Sequence, residues 1–122
     1  GRDALYNNTT GSSNTAFGQN AGRSISNGSN NTITNDSIFI GFDTRALADN
    51  ETNQIVIGHQ AIGLGSNSVV LGNTSITKTQ LRGQVIMGSF ASAPTGIEGA
   101  IYYDSTTKKH YGFDGTIWNA LY

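Results

Sequence analysis

The sequence predicts an all-β chain: a β-solenoid of short stacked repeats, then a small antiparallel β-meander. Three observations carry this expectation. First, a short apolar run closed by glycine recurs, in Ser13-Asn14-Thr15-Ala16-Phe17-Gly18, Asp36-Ser37-Ile38-Phe39-Ile40-Gly41, Asn53-Gln54-Ile55-Val56-Ile57-Gly58 and Asn67-Ser68-Val69-Val70-Leu71-Gly72. Self-similarity at a short period marks a stacked-repeat architecture. Second, no window of about a dozen residues sustains the i, i+3, i+4, i+7 apolar spacing of an amphipathic helix. Third, residues 100–122 change character, gathering aromatic residues around an Asp114-Gly115 hairpin signal.

The residues after each glycine repeat too. Gly18-Gln19-Asn20-Ala21 matches Gly58-His59-Gln60-Ala61, with Gly41-Phe42-Asp43-Thr44 and Gly72-Asn73-Thr74-Ser75 as looser copies and Gly1-Arg2-Asp3-Ala4 as a half-copy. The steps from Gly1 to Gly18, Gly41, Gly58 and Gly72 are 17, 23, 17 and 14 residues. The last reads as the bare unit and the others as units carrying loop insertions. A chain opening in mid-repeat is expected to be a fragment of a longer one.

Composition limits the alternatives. Gly, Asn, Thr and Ser supply 55 of 122 residues, charged residues 12%, and the net charge is −1. Disordered chains carry a larger net charge and fewer branched residues. Nucleic-acid binders concentrate basic residues on one patch, whereas the seven Lys and Arg here are scattered. No cysteine is present, so a disulfide framework and thiol chemistry are excluded. No apolar run approaches the roughly 18 residues of a membrane helix, and membrane insertion is not expected.

In order, Ala4-Leu5-Tyr6 is followed by the turn cluster Asn7 to Gly11, and Thr15-Ala16-Phe17 is the first strand. Gly22 to Asn31 is the largest insertion, and Ile33, between Thr32 and Thr34, can add a further β rung. Arg45 to Asp49 alone tolerates helix, and is too short to stand as one. In Ile38-Phe39-Ile40, Ile55-Val56-Ile57 and Val69-Val70-Leu71 every position is apolar. Successive side chains of a strand point to opposite faces, so these strands are expected to be buried on both.

One face can fill the chain's own coil. The other needs a cover that so thin a solenoid does not own, and further copies of the chain, most simply in a homotrimer, would supply it. Phe39, Val56, Val70, Ile40, Ile57 and Leu71 are thus the expected core and oligomer interface, with the Phe39/Val56/Val70 face covered by the neighbouring copies. The glycine ending each run permits a sharp bend. The small residue three positions on (Ala4, Ala21, Ala61, Ser75) is expected where the coil walls approach.

Ile76 to Gly83 alternates and reads as a strand leaving the solenoid, with Gln84 to Gly88 continuing in β and Ser89 to Gly99, holding the only proline, as linker. Ala100 to Asp104, His110 to Phe113 and Thr116 to Tyr122 are the strands of the expected meander. Three such strands are marginal alone. The expected organisation is repeats over 1–76, exit strand and linker over 77–99, and a C-terminal module over 100–122.

Residues 1–76 resemble the head repeats of trimeric autotransporter adhesins, the YadA-like β-roll. The resemblance rests on Asn53 to Gly58, Asn67 to Gly72 and the 14-residue step between them. It implies a left-handed parallel roll in which three chains stand side by side. Residues 95–118 and the Gly72-Asn73-Thr74-Ser75-Ile76-Thr77-Lys78-Thr79 segment are similar to bacteriophage tail-fibre sequences. The irregular 17- and 23-residue steps favour a fibre or appendage over an autotransporter. Together these resemblances imply an extracellular structural and attachment segment of a virion tail fibre or cell-surface appendage, without enzymatic activity or cofactor. The alternative is a carbohydrate-binding module or surface adhesin domain.

Catalytic chemistry finds no constellation. His59 occupies a slot that also holds Arg2, Gln19, Phe42 and Asn73, as a loop position does, and His110 sits beside Lys109 on a strand. Asp3, Asp36, Asp43 and Asp49 offer oxygen ligands suited to Ca²⁺, but no calcium-loop spacing joins them, and turn capping is the simpler role. Tyr102, Tyr103, Tyr111, Phe113, Trp118 and Tyr122 are read as the core of the meander or its trimer contact. Tyr103, Trp118 and Tyr122 are the expected exposed exceptions, and with polar tips on stacking rings they are the candidate contacts for a glycan or protein receptor.

Overall fold

A computed structural model describes residues 1–122. All ten regular elements are strands, and the chain forms two compact units, Gly1–Thr79 and Gln80–Tyr122. The first is a β-solenoid of about four stacked parallel turns. The second is a four-stranded mixed sheet.

In the solenoid, β1 (Thr15–Phe17), β3 (Ile38–Ile40), β5 (Gln54–Ile57) and β6 (Ser68–Leu71) form one parallel sheet in that order. The register stacks like on like: Ala16 pairs with Phe39, Phe39 with Val56 and Val56 with Val70. A second ladder joins β2 (Thr34–Asn35) to β4 (Glu51–Thr52), also parallel. Isolated parallel bridges Ile25 to Ala46 and Arg45 to Ile62 mark a third wall. The rung expected around Ile33 is therefore β2, one residue on. The helix-tolerant Arg45-Ala46 pair serves as strand-like wall, because neighbouring turns supply the hydrogen bonds that a lone helical turn lacks.

Corners make the coil turn. Asp36, Asn53 and Asn67, each two residues before the first apolar residue of its run (Ile38, Ile55 and Val69), and Ser13 in the first turn adopt left-handed backbone with φ between 51° and 61°. Asn and Asp tolerate that region better than other side-chain-bearing residues do. Past each strand Gly18, Gly41 and Gly58 have φ of 131°. These glycines stack so closely that a Cβ on Gly18 would lie 2.4 Å from the Gly41 carbonyl oxygen.

The core is thin. Ala21, Phe39, Ala46, Val56 and Ala61 are fully buried, with Leu5, Ala16, Ile25 and Val70 packed against them. The Phe39 ring lies directly on the opposite wall, where a Cβ on Gly22 would come within 2.8 Å of it. Ala21 and Ala61 sit inside as expected and Thr44 takes the same slot in its turn, whereas Ser75 is exposed. The Gly22–Asn31 insertion forms a small loop closed by the Ser24–Asn30 bridge.

The C-terminal sheet runs β10 (Trp118–Ala120), β9 (Lys109–Phe113), β8 (Ile101–Asp104), β7 (Ser89–Phe90). The expected antiparallel meander is present in β8, β9 and β10. The expectation is corrected at its edge: Ser89-Phe90, placed in a linker, adds a fourth strand parallel to β8, so the sheet is mixed. The hairpin at Asp114-Gly115 forms as predicted, with the Asp114 carboxylate accepting the Thr116 and Ile117 amides. The exit strand expected over Ile76 to Gly83, and its continuation to Gly88, has no β pairing within the chain.

Candidate functional sites on the solenoid face and the C-terminal sheet

Strand parity sorts the solenoid residues. Phe39 and Val56 are fully buried and Val70 half-buried, all on the inside of one chain's own coil. The face assigned from sequence to covering by neighbouring copies is thus filled by the chain itself. Two polar residues, Ser37 and Gln54, lie inside with these side chains. They precede Phe39 and Val56 by two residues, share their face, and are also fully buried. A polar residue at an inward position makes that face look like the outer one.

The opposite parity points out. Phe17, Ile40, Ile57 and Leu71 form one column along the sheet and Ile38, Ile55 and Val69 the next, in continuous register. Phe17 is 73% exposed, Val69 60%, Leu71 57% and Ile40 36%. Four strands at about 4.8 Å spacing make this an apolar face about 15 Å across. Ile40, Ile57 and Leu71 were identified from sequence. Phe17, Ile38, Ile55 and Val69 were not singled out, although the repeat register places them on the same columns.

Polar side chains of the solenoid are mostly turned to its own backbone. Asp43 holds Arg45 at 2.6 Å, and this hydrogen-bonded ion pair raises the guanidinium pKa above its ordinary value. Asp49 accepts hydrogen bonds from the amides of Thr32, Ile33 and Asn50 and from the Thr32 hydroxyl. Burial pushes its carboxyl up, but these donors outweigh burial and hold the pKa below the ordinary value. Asp3 lies near Arg2 and Arg23. Of the four aspartates weighed for calcium, Asp43, Asp49 and Asp3 thus face cations or amide donors, and no three His, Asp or Glu side chains converge in the structure. His59 stacks on Phe42 of the preceding turn, ring centres 5.4 Å apart and 18° from parallel.

The C-terminal sheet divides its aromatics between two faces. On one, Tyr102 is buried and packs on Tyr111 at 5.5 Å and edge-on to Trp118 at 4.6 Å, while Phe113 lies 5.1 Å from Trp118. The proline segment covers this face: the Trp118 indole N–H donates to the Pro94 carbonyl, and the Phe113 ring sits where a Cβ on Gly96 would be. Trp118 is therefore corrected from exposed contact to half-buried core, because its N–H finds a partner under that cover. Burial, followed by the nearby Asp104 carboxylate, raises the Tyr102 pKa.

On the other face Tyr103 lies 5.1 Å from His110, and the Tyr122 hydroxyl is 2.9 Å from His110 Nδ1. Tyr122 is 67% exposed and Tyr103 half-buried. Val85, Ile86 and Met87 border Tyr103 and His110 around a shallow concavity of about 250 Å³. Two of the three receptor candidates, Tyr103 and Tyr122, are thus brought together, and His110 joins them. Sequence reasoning passed over His110 because cross-strand pairing with Tyr103, which places it there, depends on the β8–β9 register.

Comparison with known proteins finds no family model that matches the chain, no match among curated proteins and none among solved structures.

Proposed function

We propose that this chain is a non-enzymatic structural and attachment segment of an extracellular homotrimeric fibre, such as a virion tail fibre or a cell-surface appendage. The observation that carries the reading is the outward apolar face, Phe17-Ile40-Ile57-Leu71 beside Ile38-Ile55-Val69. Contiguous exposed apolar patches on soluble proteins mark interaction surfaces. A flat parallel face repeated at every turn fits another copy of itself, since equivalent rungs meet at equivalent heights. Three such faces turned towards a common axis would leave none exposed. Three weak sites carried by one assembly would act together through effective concentration.

The mass in solution tests this. Light scattering on the 122-residue chain is expected to give three times 12.9 kDa. Ile57→Asp, on the outward face, is expected to return the mass to that of one chain while the β-type circular dichroism persists. A stable, soluble wild-type monomer would overturn the proposal.

A second reading, a glycan-binding module, is favoured by the Tyr103–His110–Tyr122 group, where the exposed Tyr122 and the half-buried Tyr103 and His110 hold their polar tips in a fixed arrangement. A glycan array on wild type and Tyr122→Ala distinguishes it: binding lost in the variant supports this surface as the contact.

A further inference from the structure

Residues Thr77 to Arg82 belong to no strand, turn or bend of the chain and make no hydrogen bond to any other part of it, by backbone or by side chain. Backbone amides and carbonyls are obligatory hydrogen-bonding groups, and an extended row of them is a template for another strand. The same residues alternate. Thr77, Thr79 and Leu81 are uncharged, whereas Lys78, Gln80 and Arg82 between them are charged or polar; the alternation ends at Gly83, where the backbone bends with φ of 87°, and Ile86 beyond it is 91% exposed. Period-two alternation of this kind describes a strand with one face buried. Within one chain that face is bare: Leu81 is 61% exposed.

We propose that residues 77–82 pair as parallel β-strands with the same residues of two further copies, with Thr77, Thr79 and Leu81 turned to the shared axis. The inference rests on the trimer proposed above. That trimer would bring Gly72 of three solenoids to one height, so three identical segments would start side by side and in register. Each copy carries the same two deficits, unpaired backbone and an uncovered apolar face, and each can meet both deficits of its neighbour. Lys78 and Arg82, the only charged residues here, fall on the opposite face, where their heads stay in water.

Amide hydrogen exchange on the full chain, read together with its mass, tests the pairing. A trimer in which amides of 77–82 exchange about a hundredfold slower than in an unstructured peptide is the expected result. A trimer in which they exchange at unstructured rates overturns this inference and leaves the fibre proposal standing. A monomer overturns both. Leu81→Asp is expected to abolish the protection and Gln80→Asp to keep it, and equal loss in the two variants overturns the assignment of faces.

Discussion

A methyl group placed on Gly41 would lie 2.6 Å from the carbonyl oxygen of Gly58, one turn further along the coil. The stacking distance between turns is set at this column of corners. The φ of 131° at Gly41 is also closed to side-chain-bearing residues. Gly41→Ala is expected to destabilise the chain by about 3 kcal/mol or more, the sum of backbone strain and a clash with backbone that cannot yield. Gly28→Ala is the control. Its φ is 87° but nothing lies within 4 Å of the added carbon, so it carries the conformational cost alone, about 1–2 kcal/mol. Denaturant unfolding of the two variants separates these terms.

Phe39 is fully buried against Gly22, Val56 and the alanine column. Phe39→Ala is expected to cost about 3–5 kcal/mol, because a thin coil has few side chains free to refill the space. Ile40→Ala, one residue on and on the outer face, is expected to change the assembled mass more than the fold. Thermal unfolding and light scattering on both variants check the inward and outward assignments together.

The Gln54 side chain is fully buried, and neither its amide oxygen nor its nitrogen has a hydrogen-bond partner in the chain. Burying an amide without partners carries a desolvation penalty of about 1–3 kcal/mol. Gln54→Met keeps the shape and drops that penalty, and is expected to raise stability by about 1 kcal/mol. A lower melting temperature would show that the amide is bonded through ordered water inside the coil.

Asp49 ties the insertion around Thr32 and Ile33 to the next turn. Its pKa is held below the ordinary value of 3.8, so the folded state favours the carboxylate more than the unfolded state does. The stability this contributes is fully present above about pH 4 and is lost as pH falls through the lower folded value. Backbone amides of Thr107, and of Ile117 and Thr116, likewise hold Asp104 and Asp114 below the ordinary range, so the C-terminal sheet is expected to weaken in the same acid window. Unfolding midpoints measured from pH 6 down to pH 2.5 should fall for wild type and fall less steeply for Asp49→Asn.

Much of this architecture is written in short-range sequence. The glycine-closed runs place the solenoid strands, because no other residue adopts their corner geometry at that stacking distance. Asp114-Gly115 places a hairpin, because the aspartate carboxylate satisfies the turn amides locally. What tertiary structure decided is which side of each strand lies inside. A three-residue strand apolar throughout carries no internal vote, and the flanking Ser37 and Gln54 vote the wrong way. The outcome is set across the coil, where Gly22 leaves room for the Phe39 ring and Gly63 for the Gln54 amide, contacts that no strand's own sequence contains. In the C-terminal sheet, pairing of Ser89 and Phe90 with Tyr103 and Asp104, and closure of the Pro94 segment over Trp118, likewise depend on contacts between distant residues. Periodicity gives a strand two faces, and only the opposing wall determines which of them becomes the core.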